Sequence, residues 1–190
     1  MAEQQTQPPP VPPSQTPPPL SNGEFGAFLK SKGIQSTPLG NDADSVEMIE
    51  VETKDLVKSC QLLRDSAEAQ MDFLVLLTSV ELKKGYQSVY TLHSTKTKKS
   101  VRVKVTVSKE NPIVPTISHL WSTADWYERE SYDMMGIIYA GHPNLKRILN
   151  PDNWEGYPLR KDYIPPVDAL NGPHPLTETK LAEKTLSKPS

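Results

Sequence analysis

Four side chains in the C-terminal half of the chain could do acid–base or metal chemistry. Glu128, Glu130 and Asp133 lie close together, and His142 follows them. Carboxylates and imidazoles are suitable ligands for zinc or manganese. On a helix, however, Glu130 and Asp133 share a face, whereas Glu128 points about 200° away from Glu130. His142 stands beside a proline and no HExxH pair is present. The spacing therefore gives little support for a metal-dependent hydrolase.

Redox cofactors would need other residue patterns, which the sequence lacks. Cys60 is the only cysteine, and an iron–sulfur cluster needs four ligands. None of the nine glycines forms a G-x-G-x-x-G turn or a phosphate-binding loop, so NADH has no dinucleotide site here. Nothing favours FMN. We therefore expect no cofactor and no metal in this chain, and we expect Cys60 to be a buried apolar residue of a helix.

The composition does not indicate binding to nucleic acid or to a membrane. The chain has 190 residues and a formal net charge of -2. The segment 96–104 holds five basic residues, but their neighbours are Thr, Ser and Val, not the exposed aromatics of a nucleic-acid module. The longest apolar run, Phe73 to Leu77, is far too short to cross a bilayer. We expect no nucleic-acid partner, and membrane contact only through other proteins.

The candidate residues lie on a predicted helix from about Ala124 to Met135. Ser122 or Thr123 could cap its start, and Gly136 supplies a left-handed stop. Arg129 and Asp133 are four apart, so they share a face. The simplest interpretation is a solvated charged face carrying an Arg–Asp pair worth a few tenths of a kcal/mol.

The preceding residues predict an α+β, two-layer domain. Helices are expected near 23–34 and 54–70, and strands near 46–51, 73–82, 86–92 and 101–107. The last of these alternates Val with polar residues, as a half-buried strand does, whereas 73–82 is apolar enough for a buried strand. The three later strands fit an antiparallel meander in a mixed or antiparallel sheet covered by helices. Trp121 and Trp126 are expected to pack as anchors before the third helix.

Residues 136–166, called the extension below, predict no confident helix or strand. Glycines and prolines interrupt them, although large apolar residues recur. These apolar residues must be buried against something, and a second protein is the natural candidate. Residues 1–22, which are rich in proline, are expected to be a disordered tail, 23–135 the α+β domain, and 167–190 a C-terminal tail.

A longer pattern identifies a family. Glu128-Arg129-Glu130, Asp133, His142 and then Lys146-Arg147-Ile148-Leu149 and Pro158-Leu159-Arg160-Lys161-Asp162 follow one another in this order. Together they resemble the signature of the 30-kDa-type C subunit in the peripheral arm of proton-pumping NADH:quinone oxidoreductase, respiratory complex I. The same subunit is called J in the cyanobacterial and chloroplast enzyme.

The resemblance implies a non-catalytic subunit that contributes assembly. FMN, iron–sulfur clusters and quinone would lie on partner subunits. The partners would be the quinone-site D subunit and the iron–sulfur subunits B and I. This chain would be peripheral on the cytoplasmic side of a bacterial inner membrane or of a thylakoid membrane. The electron donor, NADH or ferredoxin, stays open. The competing class is a free-standing metal-dependent enzyme or binding adaptor.

The resemblance also suggests which residues form the partner interface. The helix residues would organise the root of the extension, and the later residues would anchor it on the partner. The predicted set is Glu128, Arg129, Glu130, Asp133, Tyr139, His142, Arg147, Trp154, Arg160, Lys161 and Asp162.

Overall fold

The structure is a computed structural model that describes residues 23–165. Its helices are α1 (Phe25–Ser31), α2 (Leu56–Asp65) and α3 (Thr123–Met135), and a short 3-10 turn (Thr53–Asp55) precedes α2. Its strands are β1 (Ser36–Asn41), β2 (Glu47–Val51), β3 (Phe73–Glu81), β4 (Gly85–His93), β5 (Ser100–Ser108), β6 (Ile113–Pro115) and β7 (Ile138–Ala140). The predicted terminal segments 1–22 and 167–190 lie outside the described residues.

Five strands form a mixed sheet in the order β1-β2-β5-β4-β3. The β3–β4–β5 meander is antiparallel, as the sequence predicts, while β2 pairs with β5 in parallel. The sequence did not predict β1, which contains a proline and a glycine and is exposed along most of its length. It is an edge strand, where such residues are tolerated. The predicted α+β class with a mixed sheet is confirmed.

One core joins the three helices to the alternate residues of the sheet that face them. In β5, for example, the four valines are buried and the residues between them are not. Cys60 on α2 is fully buried, as expected, and burial raises the pKa of its thiol to about 12. The outward face of the sheet keeps partly accessible side chains on every strand of the meander.

Two predicted elements differ from the structure. Helix α2 ends at Asp65 and not near Gln70, because Ser66 is extended and the chain turns back so that the Met71 N–H bonds the Leu63 carbonyl at 2.9 Å. Strand β3 was predicted to be buried, but it lies at the sheet edge and exposes alternate side chains. A continuous apolar run does not by itself distinguish a central strand from an edge strand.

Helix α3 and the segment after it hold three further differences. Ser122 makes no side-chain capping bond, and Trp126 is exposed although Trp121 is buried as expected. Gly136 does end the helix in the left-handed region, with φ 73° and ψ 28°. The extension contains one strand that was not predicted, β7, which pairs in parallel with β6. Among residues 23–165, no helix is long and apolar enough to cross a membrane.

Candidate functional site

Asp133 is the centre of the site. Its side chain is fully buried at the end of α3, and its two oxygens accept five hydrogen bonds from residues 147–150 of the extension. Three come from the consecutive backbone N–H groups of Ile148, Leu149 and Asn150, at 3.1, 2.8 and 2.8 Å. Such a row of N–H groups forms a concave anion site. The predicted solvated face is therefore wrong at Asp133, which instead organises the backbone of the extension.

The hydrogen bonds keep this carboxylate ionised. Burial alone would raise the pKa of Asp133, but the bonds from Asn150, Arg147 and Leu149 outweigh it and lower that pKa to about 2. The Arg147 guanidinium is the one full positive charge among these donors, at 2.6 Å from Oδ1. A charged carboxylate at the root of the extension thus stays in place at any physiological pH.

Arg147 also ties distant parts of the extension together. Its Nη1 donates to the Asp133 carbonyl oxygen at 3.1 Å, and its Nη2 donates to the carbonyls of Trp154 and Gly156, both at 3.0 Å. The guanidinium stands 5.4 Å from the centre of the Tyr157 ring. One side chain therefore joins the helix end to two later points of the loop.

Two more arginines fasten the extension to helix α3. Arg129 donates to the carbonyls of Lys146 and Arg147 at 3.2 and 3.1 Å, so the Arg129–Asp133 pair suggested by their spacing is replaced by contacts with the extension. Arg160 donates to the Met135 carbonyl at 2.8 Å and stacks 4.4 Å from the centre of the Tyr157 ring. Helix α3 thus provides both acceptors and a donor for the loop.

The last described part of the extension contacts the sheet. Glu81, at the end of β3, accepts the Lys161 backbone N–H at 2.6 Å. The same carboxylate pairs with Lys109, and the hydrogen bond from that lysine, followed by the Lys161 N–H, lowers the pKa of Glu81. Lys161 and Asp162 expose their side chains.

Glu128 and His142 form a second buried group on the other side of α3. Glu128 accepts the Ile117 N–H at 2.8 Å and the Thr116 hydroxyl at 2.5 Å. His142 accepts the Asn144 N–H on Nδ1 at 3.0 Å, which assigns its ring proton to Nε2. Nε2 lies 3.2 Å from the Asp125 carbonyl and 3.9 Å from a Glu128 oxygen. His142 therefore holds the start of the extension against α3.

Burial governs the protonation of Glu128. It raises the pKa of this carboxyl to about 7, although the bonds from Thr116 and Ile117 oppose the change. Because the folded state binds this proton more tightly than the unfolded chain does, the contribution of Glu128 to stability is fully present below its ordinary pKa of 4.5 and is lost as pH rises to about 7.

We expect Glu128→Gln to remove this pH dependence. Between pH 4.5 and 7, the free energy of unfolding of the variant should rise by about 3 kcal/mol relative to that of the unmodified chain. Urea denaturation at a series of pH values measures it. The exposed neighbour Glu130→Gln is the matched control and should leave the profile unchanged. A constant difference for Glu128→Gln across this range would contradict the assignment.

The side chains of the alternative metal-site interpretation do not come together as a ligand set. Glu130 is exposed, Asp133 is bonded to the extension, and Glu128 is bonded to the segment after β6. Within residues 23–165, no group of three or more His, Cys, Asp and Glu side chains is placed to hold a metal ion.

Several residues of the predicted partner interface have buried side chains, among them Glu128, Asp133 and Tyr139. The Tyr139 hydroxyl donates to Ser131 in the core at 2.9 Å. Arg147 and Arg160 bond the chain's own backbone. Any partner contact of the predicted residues stays a prediction.

Sequence reasoning missed several residues of this site. Asn150 donates its side-chain amide to Asp133 at 3.0 Å, Glu81 accepts the Lys161 N–H near the end of the extension, and the Tyr157 ring contacts two arginines. No local sequence pattern indicates these residues, because their partners lie up to 80 residues away in the chain. The glycine and proline spacing of the loop is the one signal that pointed to a specific conformation.

The extension presents an apolar outer surface. Leu149, Leu159 and Ile164 remain 63%, 61% and 85% exposed after the loop has packed on its own domain. A loop held by so many internal bonds, yet carrying large exposed apolar side chains, is typical of a preorganised protein-binding surface.

Residues 49–168 match the family described as respiratory-chain NADH dehydrogenase, 30 Kd subunit. The chain belongs to this family. The match confirms the resemblance seen in residues 128–162, and it covers most of the domain together with the extension. Membership in the 30 Kd subunit family places the chain in a family of oxidoreductase-complex subunits.

Two curated relatives support the assignment of the chain to the 30 Kd subunit family. The C subunit of the NADH-quinone oxidoreductase of Chloroherpeton thalassium is 46% identical over 103 residues, which cover 53% of this chain and 43% of the relative. The chain thus matches less than half the length of that protein. The chloroplastic NAD(P)H-quinone oxidoreductase subunit J of Chaetosphaeridium globosum is 39% identical over 150 residues, covering 76% of this chain and 88% of the relative.

Solved structures share the fold at low sequence identity. A trypsin-resistant fragment of Nqo5 superposes with a TM-score of 0.53 and 22% identity, covering 65% of this chain and 98% of the fragment. A chain of the membrane-bound sulfane sulfur reductase, an archaeal respiratory membrane complex, superposes with a TM-score of 0.60 and 18% identity over 88% of this chain and 94% of its own length. Both solved chains thus share the α+β fold described above.

Proposed function

We propose that this chain is a peripheral-arm subunit of a proton-pumping NADH:quinone or ferredoxin:quinone oxidoreductase, and that it contributes assembly and not catalysis. The observation that carries the proposal is the extension, locked on its own domain through Asp133 and Arg147 while Leu149, Leu159 and Ile164 stay exposed. Rigid loops with exposed apolar side chains lose little conformational entropy on binding, which suits a permanent subunit contact.

The redox groups belong, in this proposal, to other subunits. FMN, the iron–sulfur clusters and the quinone would lie on partners, and the extension would dock on the quinone-site D subunit beside the iron–sulfur subunits B and I. Both curated relatives are subunits of quinone oxidoreductases, which supports this placement. This chain would lie peripherally, on the cytoplasmic side of a bacterial inner membrane or of a thylakoid membrane.

Charge insertion into the exposed apolar surface tests the docking. We expect Leu159→Lys to reduce recovery of partner subunits with the tagged chain by about tenfold or more, because a lysine would be desolvated against an apolar partner surface. Recovery is measured by quantitative mass spectrometry of complexes purified from gently solubilised native membranes.

Leu39→Lys is the matched control. Leu39 is also an exposed leucine, but it lies on β1, away from the extension. Equal recovery for the two variants, whether unchanged or equally reduced, would contradict the proposed docking surface. Urea denaturation of both purified chains shows that neither effect arises from unfolding.

A further inference from the structure

The side of the sheet that faces away from the helices carries a second exposed surface. Along β3, Phe73, Leu76 and Val80 are 48%, 43% and 45% exposed. The nine residues of β3 contain no charged side chain before Glu81. The opposite edge strand, β1, is interrupted by Pro38 and an irregular register, a device that prevents pairing with other chains. Strand β3 has a register shift between Leu74 and Leu76 but contains no proline, and exposed apolar rows of this kind mark interaction sites.

The register shows what lies beside this row. Leu76 pairs with Thr91 and then Arg102, and Thr78 pairs with Val89 and then Lys104. Because neighbouring strands are about 4.8 Å apart, Lys104 and Arg102 lie about 10 Å from the β3 row on the same face of the sheet. The surface, called the outer sheet face below, is thus apolar on β3 and basic on β5.

The basic side has charge available for a partner. Arg102 pairs with Asp42, but Lys104 forms no ion pair with any residue between 23 and 165. The neighbouring carboxylate of Glu50 accepts the Thr106 hydroxyl at 2.6 Å instead. The turn before β5 adds three more lysines, of which Lys98 and Lys99 are likewise without ion pairs in the described part of the chain.

The width of the outer sheet face fits a helix. Two strand spacings equal about 10 Å, which is the diameter of an α-helix with its side chains. A helix lying along β4 would place one stripe of side chains on the β3 row and its flank above Lys104. The apolar and basic sides of the outer face then require an apolar stripe and an acidic flank on that helix.

We propose that the outer sheet face binds an amphipathic helix of a partner protein, with apolar side chains against Phe73, Leu76 and Val80 and carboxylates opposite Lys104. This adds a second interface to the one proposed for the extension and does not depend on it. A helix in this position completes a three-layer arrangement, with the sheet covered on both faces.

Site-specific photo-cross-linking tests the proposal in the full chain, expressed in its native host. Benzoylphenylalanine is placed at Leu76 and, in a second variant that leaves the apolar row intact, at Thr78. We expect both to cross-link to another protein. The cross-linked peptide should carry apolar residues at helical spacing and carboxylates three or four positions from the attachment point. Attachment to residues 166–190 of the same chain, to a second copy, or to a peptide without that pattern would overturn the proposal, as would no cross-link from either position.

Charge reversal tests the acidic flank. Lys104→Glu should lower the cross-link yield from Thr78 about tenfold, whereas Lys104→Arg should keep it. Lys58→Glu is the matched control, since it makes the same charge change at an exposed position of α2, on the helix side of the sheet. Equal losses for Lys104→Glu and Lys58→Glu, or no loss for either, would overturn the assigned chemistry. A parallel cross-linker at Leu159 reports on the extension, so failure at one surface is distinguished from failure at the other.

Discussion

Replacing Asp133 by asparagine is expected to lower the free energy of unfolding by about 3–5 kcal/mol and to release the extension. The variant keeps the shape of the side chain but removes the negative charge that Arg147 and three backbone N–H groups share. One position of the new amide must be an N–H₂ group, which would face donors and leave them buried without an acceptor. Arg147 would also lose its ion pair in a largely buried setting.

Two measurements distinguish a loss of stability in the Asp133→Asn variant from release of its extension. Urea denaturation gives the change in free energy of unfolding, and limited proteolysis reports the accessibility of residues 146–165. Asp152→Asn is the control, because Asp152 is an exposed carboxylate in the same segment and its removal should change stability by no more than about 0.5 kcal/mol. Equal protease resistance of Asp133→Asn and the unmodified chain would show that Asp133 does not hold the extension.

Substituting alanine for Gly136 is expected to cost about 2–4 kcal/mol. Gly136 has φ 73°, where a side chain is strained, and a Cβ there would lie 2.4 Å from the Arg160 guanidinium and 2.6 Å from the Tyr157 ring. Both neighbours fasten the extension, so the methyl group would push the loop away from the helix end.

Gly141→Ala provides the comparison for Gly136→Ala. Gly141 has a similar φ of 82°, but the nearest atom to an added Cβ is 3.4 Å away, on Thr116. Its cost should be the backbone strain alone, about 1–2 kcal/mol. Thermal or urea unfolding of the two variants therefore isolates the close approach of the loop. Equal destabilisation would show that the packing of Arg160 and Tyr157 on Gly136 contributes nothing.

The sequence predicted the elements whose signals are local. The alternating valines of β5 and the apolar spacing of α2 fixed the meander and the helix positions, and Gly136 correctly ended α3. The predicted ends of elements were less accurate. Helix α2 stops five residues before its predicted end at residue 70, because the backbone turns to pack Met71 into the core. Tertiary packing decides such boundaries.

The site depended on contacts that no local pattern encodes. Charged residues on α3 were expected to face solvent or a partner, but Asp133 and Arg129 are saturated by the backbone of the extension. The spacing of Arg129 and Asp133 suggested a pair within the helix, whereas Arg147 provides the competing and better-placed cation. The loop thus buries its arginines within its own chain, and only the structure shows which side chains are left for a partner.

The identity of the proteins bound to this chain tests the central claim most directly. The tagged full-length protein is purified from gently solubilised native membranes, and the co-purifying chains are identified by mass spectrometry. We expect stoichiometric recovery of the quinone-site and iron–sulfur subunits of a quinone oxidoreductase, with the loss of those subunits in Leu159→Lys. Recovery of the chain alone, under conditions that keep the rest of that complex intact, would contradict the account.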